Sequence, residues 1–520
     1  MTNQTSDNNK RIAKNTMLLY FRMLFMMVIS LYTSRIVLNA LGVNDYGIYN
    51  VVGGVVAMFA ILSGSLSASI SRFITFEIGK GNVDRLKEVF CTAINVQIIL
   101  IVCIIFLMET IGLWFLNYKM VIPEDRLFAA NWVFQFSIAT FAINLWSIPY
   151  NATIIAHEKM SAFAYISIFD AIAKLSAAFL IMYSPLDKLI LYVFLIMITG
   201  LFQRVLYSVY CKRNFEECCY KLSFNRNITK EMFGFAGWNF IGASSAVLRD
   251  QGGNLLINLF FGPSVNAARG VAMSVNSAVL NFVSNFMTAL NPQITKNYAS
   301  GNYSYMFKLA FQGARLSYYI LLIIAMPIIF TSSYLLYLWL GIVPEYASIF
   351  VCLVLLFTLS ECLASPLVTI MLATGKIRNY QIVVGGLQLL NLPISYVLLK
   401  LGFPVETIFI VAIGISIVCE IARLVMLKSM VGLPVRQFMR EVYFNVIIVT
   451  AVSSVLPLLL NRILIVDNFI TFIFTVLVTA AYTIIIIYII GCSKQDKCFI
   501  KNCFYKVLSK IKNERSKLFY

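Results

Sequence analysis

The sequence predicts an all-α polytopic membrane protein, and its composition, hydropathy and apolar runs all indicate this fold class. Of its 520 residues, 60% are hydrophobic and only 12% are charged. The mean hydropathy of +0.83 lies far above that of soluble globular proteins. Apolar runs of about 20 residues, the length of one membrane-spanning helix, recur along the whole chain. We expect no cleavable signal peptide, because the first run lacks a small-residue cleavage site and further spans follow it.

About fourteen transmembrane helices are predicted from the apolar runs between polar and Gly/Pro breaks. The predicted spans are 17–41, 47–69, 89–116, 128–155, 163–183, 189–210, 236–261, 265–290, 308–330, 346–371, 381–400, 406–427, 442–460 and 468–490. Lys and Arg accumulate in alternate connections, and the positive-inside rule assigns those connections and both termini to the cytoplasm. The net charge of +18 therefore indicates topology and contact with the phospholipid bilayer, with no nucleic-acid partner.

An internal repeat relates the first six predicted spans to the next six. The outer turns "LGVNDYGIYNVVGG" and "FGPSVNAARGVAMS" place Gly42 and Gly262 at an offset of 220 residues, and the inner loops "GKGN" and "ASGN" place Asn82 and Asn302 at the same offset. An even number of spans separates equivalent points, so the two copies run in the same direction through the membrane. The predicted parts are a cytoplasmic N-terminus (1–16), an N-lobe (17–211), a cytoplasmic linker (212–235), a C-lobe (236–427), a cytoplasmic loop (428–441), a C-terminal helix pair (442–490) and a basic cytoplasmic tail (491–520).

The sequence lacks the residue patterns of a membrane enzyme. The predicted outer loops of about five to twelve residues are too short for a catalytic domain. There is no Asp-x-Asp pair for a metal-bound nucleotide sugar and no Walker A motif. We therefore predict no catalytic residue, no metal site, no cofactor and no enzymatic activity.

Two arginines lie in the first predicted span, where charged side chains are costly and usually functional. Arg35 precedes the turn glycine Gly42 by seven residues, about 10 Å along a helix, so it either snorkels to the headgroups or lines a cavity. Arg22 lies near the inner end of the same helix. Thirteen residues separate the two arginines, which places them about 140° apart on a straight helix. We expect that they do not both face one central cavity.

The seventh and eighth predicted spans contain Arg249, Asp250 and Arg269. Arg249 lies about 16 Å from either end of its span, beyond snorkelling reach. Asp250 points about 100° away, so we expect each residue to need another partner, either in an ion-pair network between helices or in a hydrated cavity. Arg269 is either a positive charge at the outer mouth or an interface residue. Gly252 and Gly253 favour a bend or a close approach.

Three further charged residues are candidates for ion coupling or charge pairing. Asp170 and Lys174 have the i, i+4 spacing of a pair that neutralises itself on one helix. Glu361 lies deep in the tenth predicted span, where a carboxylate can carry a proton through a transport cycle.

Four stretches resemble a known family. The segments "SRIVLNALGVNDYGIYNVVGGVVAMF", "SRFITFEIGKGN", "LFFGPSVNAARGVA" and "NPQITKNYASGN" are similar to the polysaccharide (O-antigen type, Wzx-like) flippases of the multidrug/oligosaccharidyl-lipid/polysaccharide (MOP) exporter superfamily. The resemblance covers the first twelve spans and implies a MATE-like fold with two six-helix lobes around a central cavity. It also implies a bacterial inner-membrane transporter for lipopolysaccharide and related polysaccharide biosynthesis.

This resemblance implies a substrate and candidate binding residues. The substrate is an undecaprenyl-diphosphate-linked oligosaccharide, which moves from the cytoplasmic to the periplasmic leaflet by alternating access. The implied partners are a glycan polymerase and other assembly proteins. The substrate-binding residues carried over are Arg22, Arg35, Arg249 and Arg269, because a guanidinium matches phosphate oxygens bidentately. The first span lacks the aspartate that many multidrug members carry. A cation-coupled multidrug antiporter and a non-catalytic scaffold of a glycan assembly complex remain alternatives.

Overall fold

A computed structural model describes residues 2–57, 60–118, 122–220, 225–340, 343–464, 466–493 and 497. The predicted outer-loop residue Lys119 and most of the basic tail 491–520 lie outside the described residues. Within the described ranges the regular structure is helical and contains no β-strand. This finding confirms the all-α prediction.

Seventeen α-helices occur in the described part of the chain. They are α1 (Thr2–Ala57), α2 (Ala60–Lys80), α3 (Val83–Leu107), α4 (Leu113–Tyr118), α5 (Leu127–Ala156), α6 (Met160–Tyr183), α7 (Lys188–Asn214), α8 (Arg226–Ala299), α9 (Tyr303–Leu340), α10 (Ala347–Cys362), α11 (Ser365–Thr374), α12 (Arg378–Leu389), α13 (Asn391–Lys400), α14 (Thr407–Val431), α15 (Val435–Phe438), α16 (Asn445–Ile463) and α17 (Phe469–Ile486). Short π-helical segments occupy Met108–Gly112, Met439–Phe444 and Ile487–Gly491, and 3-10 turns occupy Glu124–Arg126 and Glu216–Cys218.

Ten helical stretches among the described residues are long and apolar enough to cross a membrane, and the bent pair α10 and α11, with 42° between its axes, makes an eleventh. The protein is therefore a multi-pass membrane protein. The long helix α8 holds the seventh and eighth predicted spans but is not among the ten, because its many Asn, Ser and Gly residues lower its hydropathy. Such a helix is suited to contact with protein or water, since buried polar groups need partners that lipid lacks.

The chain departs from a straight helix at both predicted outer turns. In α1, Gly42 has φ 77° and ψ 172°, which breaks the helix in a region that favours glycine. In α8, a Cβ built on Gly253 would lie 2.3 Å from Nη1 of Arg269. Residues sixteen positions apart on a straight helix are about 24 Å apart, so α8 must fold back between Gly253 and Arg269, around the predicted turn at Gly262.

The two inner loops have matching geometry, as the repeat predicts. Gly81 and Gly301 both have positive φ angles, 72° and 76°. The next residue in each copy accepts a backbone N–H from three positions onward: Asn82 Oδ1 accepts from Arg85 at 3.1 Å, and Asn302 Oδ1 accepts from Tyr305 at 3.3 Å. A glycine in the left-handed region followed by an Asn cap ends one helix and begins the next. This agreement supports the parallel internal repeat.

The chain divides into two compact units. The first comprises Met1–Asp250, Ser284–Ala310 and Pro366–Leu390, and the second comprises Gln251–Val283, Phe311–Ser365 and Asn391–Tyr520. Residues 284–310 and 366–390 of the predicted C-lobe thus belong to the first unit. The lobe boundaries given above stay a prediction.

An ion-pair clamp joins three helices on the predicted outer side of the first unit. The Arg126 guanidinium donates to both carboxylate oxygens of Asp45, and its Nη1 lies 2.7 Å from Asp187 Oδ2. Burial alone raises the pKa of the Asp187 carboxyl, but hydrogen bonds from Arg126 and the α7 N-terminus outweigh it and hold the pKa below its ordinary value. The clamp explains why a basic side chain is tolerated in a connection predicted to face outward.

Candidate functional site

Arg22 is held by neutral groups from α6 and α8. Its Nη1 donates to Ser167 Oγ and its Nη2 to Asn285 Oδ1, each at 3.3 Å. The guanidinium also lies 4.4 Å from the centre of the Phe163 ring. No carboxylate pairs with Arg22 among the described residues. Its positive charge is therefore not cancelled by a direct partner.

Asp170 and Lys174 form the predicted i, i+4 pair, with Lys174 Nζ 2.7 Å from Asp170 Oδ2. Asp170 is buried and lies three residues from Ser167, which contacts Arg22. Its second oxygen, Oδ1, is buried without a hydrogen-bond partner within the described ranges. The charge-pairing prediction for these two residues is consistent with this geometry.

A cavity of about 260 Å³ lies within the first unit beside this pair. Its lining includes Asp170 and Lys174 from α6, and Thr33 and Tyr49 from α1. Before Gly42, the α1 residues that line it lie at i, i+3, i+4, i+7 and i+11 from Met26, and Arg22 precedes Met26 by one helical turn. Arg22 therefore lies on the same face of α1 as the residues that line the cavity, one turn before them.

Arg35 has a different environment. Its side chain is exposed and makes no hydrogen bond or ion pair within the residues that the structure describes. Arg22 and Arg35 thus lie on different faces of α1, as expected from their spacing of thirteen residues. The structure does not bring these two predicted binding residues together.

Arg249 and Asp250 pair directly, so the expectation that neighbouring residues do not satisfy each other was wrong. Arg249 Nε lies 2.9 Å from Asp250 Oδ1. The expectation used only the angle of about 100° between the two Cβ directions. The long arginine side chain can bend around the helix and so reach its neighbour. The Arg249 side chain is 15% exposed and that of Asp250 is 41% exposed.

Arg269 is buried in the second unit, and its guanidinium packs against Gly253. Its guanidinium occupies the space where a side chain on Gly253 would lie, and its Cζ is 5.5 Å from the Phe409 ring centre. The neighbouring Gly252 accommodates Leu392 in the same way. The two glycines therefore allow side chains to approach α8 closely, while Arg269 packs inside the protein.

Glu361, which is partly exposed, belongs to a charge cluster in the second unit whose other members, Glu420 and Arg423, are buried. Its Oε1 accepts a hydrogen bond from Ser416 Oγ at 2.5 Å and lies 3.9 Å from Arg423 Nη1. The same Arg423 atom is 3.1 Å from Glu420 Oε2. Tyr443 interacts with Glu420 from the adjoining π-helical segment. Two carboxylates therefore share one guanidinium.

Glu420 and Arg423 were not among the predicted site residues. Both lie in the twelfth predicted span at i, i+3, the same kind of signal that Asp170 and Lys174 show. Arg204 of α7 was not predicted either; it is buried, and its Cζ lies 4.5 Å from the Trp146 ring centre and 4.1 Å from that of Tyr150. The signal in all three is a charged residue inside an apolar span.

A separate cluster joins the turn after α5 to a short 3-10 segment. His157 Nε2 lies 2.5 Å from Glu217 Oε1, and the His157 ring stacks on Phe215 with 4.2 Å between centres. Burial alone raises the pKa of the Glu217 carboxyl, but the His157 contact and other hydrogen bonds outweigh it and lower the pKa. His157, the one histidine of the sequence, is partly buried in this contact.

Comparison with known proteins gives matches to solved structures. No protein-family model matches this sequence, and no curated protein sequence matches it. A multidrug resistance MATE family transporter of the MOP superfamily in an outward-facing conformation is 13% identical, with a TM-score of 0.70 over 82% of this chain and 97% of that one. A crystal structure of a MATE protein in the bent conformation gives a TM-score of 0.71 at 13% identity, over 82% of this chain and 96% of that one.

A third similar structure is a MOP superfamily transporter from Pyrococcus furiosus, described as having a binding pocket of reverse polarity that suggests a different function. It has a TM-score of 0.67 at 13% identity and covers 80% of this chain and 94% of that one. These solved structures are transporters rather than enzymes. The identities are too low to show more than the architecture, but the agreement covers nearly the whole of each neighbour. This chain has the fold of the MOP superfamily transporters.

Proposed function

We propose that this protein is a flippase that moves an anionic lipid-linked oligosaccharide across a bacterial inner membrane by alternating access, with both termini in the cytoplasm. The resemblance in the sequence indicates an undecaprenyl-diphosphate-linked O-antigen or polysaccharide repeat unit. The single observation that carries the proposal is Arg22, a membrane arginine whose partners in the described part of the chain are neutral.

The chemistry of Arg22 suits a diphosphate headgroup. A guanidinium stays charged in a poorly solvated site and donates two parallel hydrogen bonds to phosphate oxygens. Its present contacts with Ser167 and Asn285, at 3.3 Å each, are long for hydrogen bonds and involve no charged acceptor. A phosphate therefore offers Arg22 a stronger partner than it has in the structure.

The other predicted arginines contribute less directly to the proposal. Arg35 is exposed and has the charge and position to attract an anionic headgroup. Arg249 shares its charge with Asp250, and Arg269 packs against Gly253 and Phe409. In this proposal Arg22 is the main binding residue, and the remaining three are secondary.

A cation-coupled multidrug antiporter is the main alternative, and the MATE neighbours fit it equally well. A pocket for cationic drugs needs a net negative charge, whereas in the first unit Asp170 is paired with Lys174 and Arg22 has no acidic partner among the described residues. The transporter described with a reversed pocket polarity is a precedent for a different substrate charge on this fold. A scaffold within a glycan assembly complex is a further alternative, since a fold does not determine a function.

We propose that the Glu361, Glu420 and Arg423 cluster carries the coupling ion, and that this ion is a proton. Two carboxylates beside one guanidinium leave one negative charge in a largely buried site, and a proton removes it at little steric cost. The Glu420 Oε1 atom is buried without a partner among the described residues. A sodium ion would instead lie within about 4 Å of the Arg423 guanidinium, which repels it.

Transport in proteoliposomes tests the proposed function. The lipid-linked oligosaccharide that accumulates in cells lacking this protein is reconstituted with the purified full-length chain, and its appearance in the opposite leaflet is measured. A cationic dye serves as the competing substrate. We expect glycolipid translocation and no dye transport; dye transport without glycolipid translocation would contradict the proposal and favour the antiporter.

The same vesicles test the coupling ion. We expect an imposed pH gradient to change the translocation rate of the wild type, and the double variant Glu361→Gln, Glu420→Gln to lose this response. A response that follows a sodium gradient instead would exclude the proton assignment.

A further inference from the structure

The turn between α5 and α6 is tied to α8 by a buried carboxylate. Glu158 accepts hydrogen bonds from Gln293 Nε2 at 2.6 Å and from Lys296 Nζ at 2.7 Å. Its side chain is 1% exposed. The Glu158 backbone oxygen also accepts from Asn15 Nδ2 of α1 at 3.3 Å. This contact, the Glu158 latch, therefore joins α1, the turn before α6 and α8.

The backbone of Glu158 is held in an unusual conformation. Its φ angle is 59°, in the left-handed region where residues other than glycine are strained. Such a conformation persists only where surrounding contacts hold it in place. Here those contacts are the ones that Glu158 makes with Gln293, Lys296 and Asn15.

An apolar layer lies next to the latch on the same three helices. Leu19 of α1, Met160 of α6 and Ala289 of α8 pack together, and all three are fully buried. Leu19 is four residues from Asn15, and Ala289 is four residues from Gln293. The apolar layer therefore lies one helical turn further into the protein than the latch.

The Arg22 site forms the third layer of this stack. Asn285 is one more turn along α8 from Ala289, and Phe163 follows Met160 on α6. Lys296 and Asn285 are eleven residues apart, or about 16 Å along α8. The latch and the apolar layer therefore separate Arg22 from the inner-loop end of α8, which the positive-inside pattern predicts to be cytoplasmic.

We infer that the Glu158 latch is a cytoplasmic gate, closed in this structure, which blocks access to Arg22 together with the apolar layer of Leu19, Met160 and Ala289. Glu158 belongs to the predicted N-lobe, whereas Gln293 and Lys296 belong to the predicted C-lobe. A movement that opens the cytoplasmic path between those segments must break the two hydrogen bonds of the Glu158 carboxylate. The inference concerns access and does not depend on the identity of the substrate.

A cysteine in the apolar layer reports whether this gate is open. We place the reporter by Ala289→Cys, which adds one sulfur atom at a fully buried position, in the full-length chain in inside-out membrane vesicles. A membrane-impermeant maleimide is added, and labelling of the peptide that contains residue 289 is followed by mass spectrometry, since native cysteines label elsewhere. With the latch intact we expect slow labelling.

Two variants open the gate in different ways. Glu158→Gly removes the carboxylate and also relieves the backbone strain, so loss of folding is not expected. Lys296→Gln removes the opposite charge. Each is expected to accelerate labelling of the reporter by about tenfold, because each removes a charge-assisted hydrogen bond from the closed state.

Glu217→Gln is the matched control. It removes a buried carboxylate that contacts His157, the neighbour of Glu158, but this contact joins the predicted linker to the predicted N-lobe and does not involve the predicted C-lobe. We expect it to leave the labelling rate unchanged. The inference is overturned if Glu158→Gly and Lys296→Gln label at the wild-type rate, or if Glu217→Gln accelerates labelling as much as they do.

Discussion

Two membrane arginines in this chain have opposite surroundings. Arg423, which is 3% exposed in its side chain, lies 3.1 Å from one carboxylate and 3.9 Å from another. Within the described residues, Arg22 contacts a hydroxyl, an amide oxygen and an aromatic ring, and no carboxylate. Burying a charge is costly unless it is paired; Arg423 is paired with carboxylates, whereas the Arg22 charge has no carboxylate partner among the described residues. The difference separates an arginine that stabilises the fold from one suited to bind an anion.

Removal of Arg423 has the largest effect that this comparison predicts. The variant Arg423→Gln leaves the buried Glu420 and the partly exposed Glu361 without the guanidinium that they share, and we expect a loss of about 3–5 kcal/mol in stability. By contrast, Arg22→Gln removes weak contacts with neutral groups and should cost about 1 kcal/mol. The folded fraction after detergent extraction, measured by size-exclusion chromatography, distinguishes them.

A compensating variant serves as the control for this prediction. Adding Glu420→Gln to Arg423→Gln removes one of the two uncompensated charges and should restore much of the folded fraction. If Arg423→Gln and Arg22→Gln lower the folded fraction equally, both arginines have the same structural role, and the proposed difference between them is wrong.

A smaller effect is expected for a paired carboxylate outside the membrane. The pKa of Glu217 is lowered from its ordinary value of 4.5, so its contribution to stability is fully present above about pH 4.5 and is lost as the pH falls through the lowered pKa. We expect Glu217→Gln to cost about 1 kcal/mol at pH 7.5. Thermal unfolding of both proteins from pH 7.5 to pH 3 should show a constant difference down to about pH 4.5 and a smaller one below it. A difference that grows toward low pH would contradict this assignment.

Much of the fold could be predicted from the sequence, because membrane helices follow directly from long apolar runs. The inner-loop motifs predicted a shared backbone geometry, which Gly81 and Gly301 confirm. Asp170 and Lys174 were found because partners four residues apart on a helix are neighbours. In each case the signal is local, or repeats at one fixed offset.

The rest depends on contacts that the sequence does not encode locally. Glu158 and Lys296 are 138 residues apart, so their pairing depends on how α8 packs against the turn after α5. The pairing of Arg249 with Asp250 depends on side-chain torsion angles and was predicted wrongly. Arg22 was identified as a candidate, but its neutral surroundings became visible only when Ser167 and Asn285 were located in space.

The most direct test of the account is the affinity of Arg22 for a diphosphate headgroup. Binding of undecaprenyl diphosphate and of uncharged undecaprenol to the full-length protein in nanodiscs is measured for the wild type, Arg22→Lys and Arg22→Gln, with the exposed outer arginine variant Arg462→Ala as control. We predict that the wild type prefers the diphosphate, that Arg22→Gln weakens its binding by about tenfold or more, and that Arg22→Lys weakens it less. Undecaprenol binding and the Arg462→Ala variant should be unaffected. Unchanged diphosphate binding by folded Arg22→Gln would contradict the central claim.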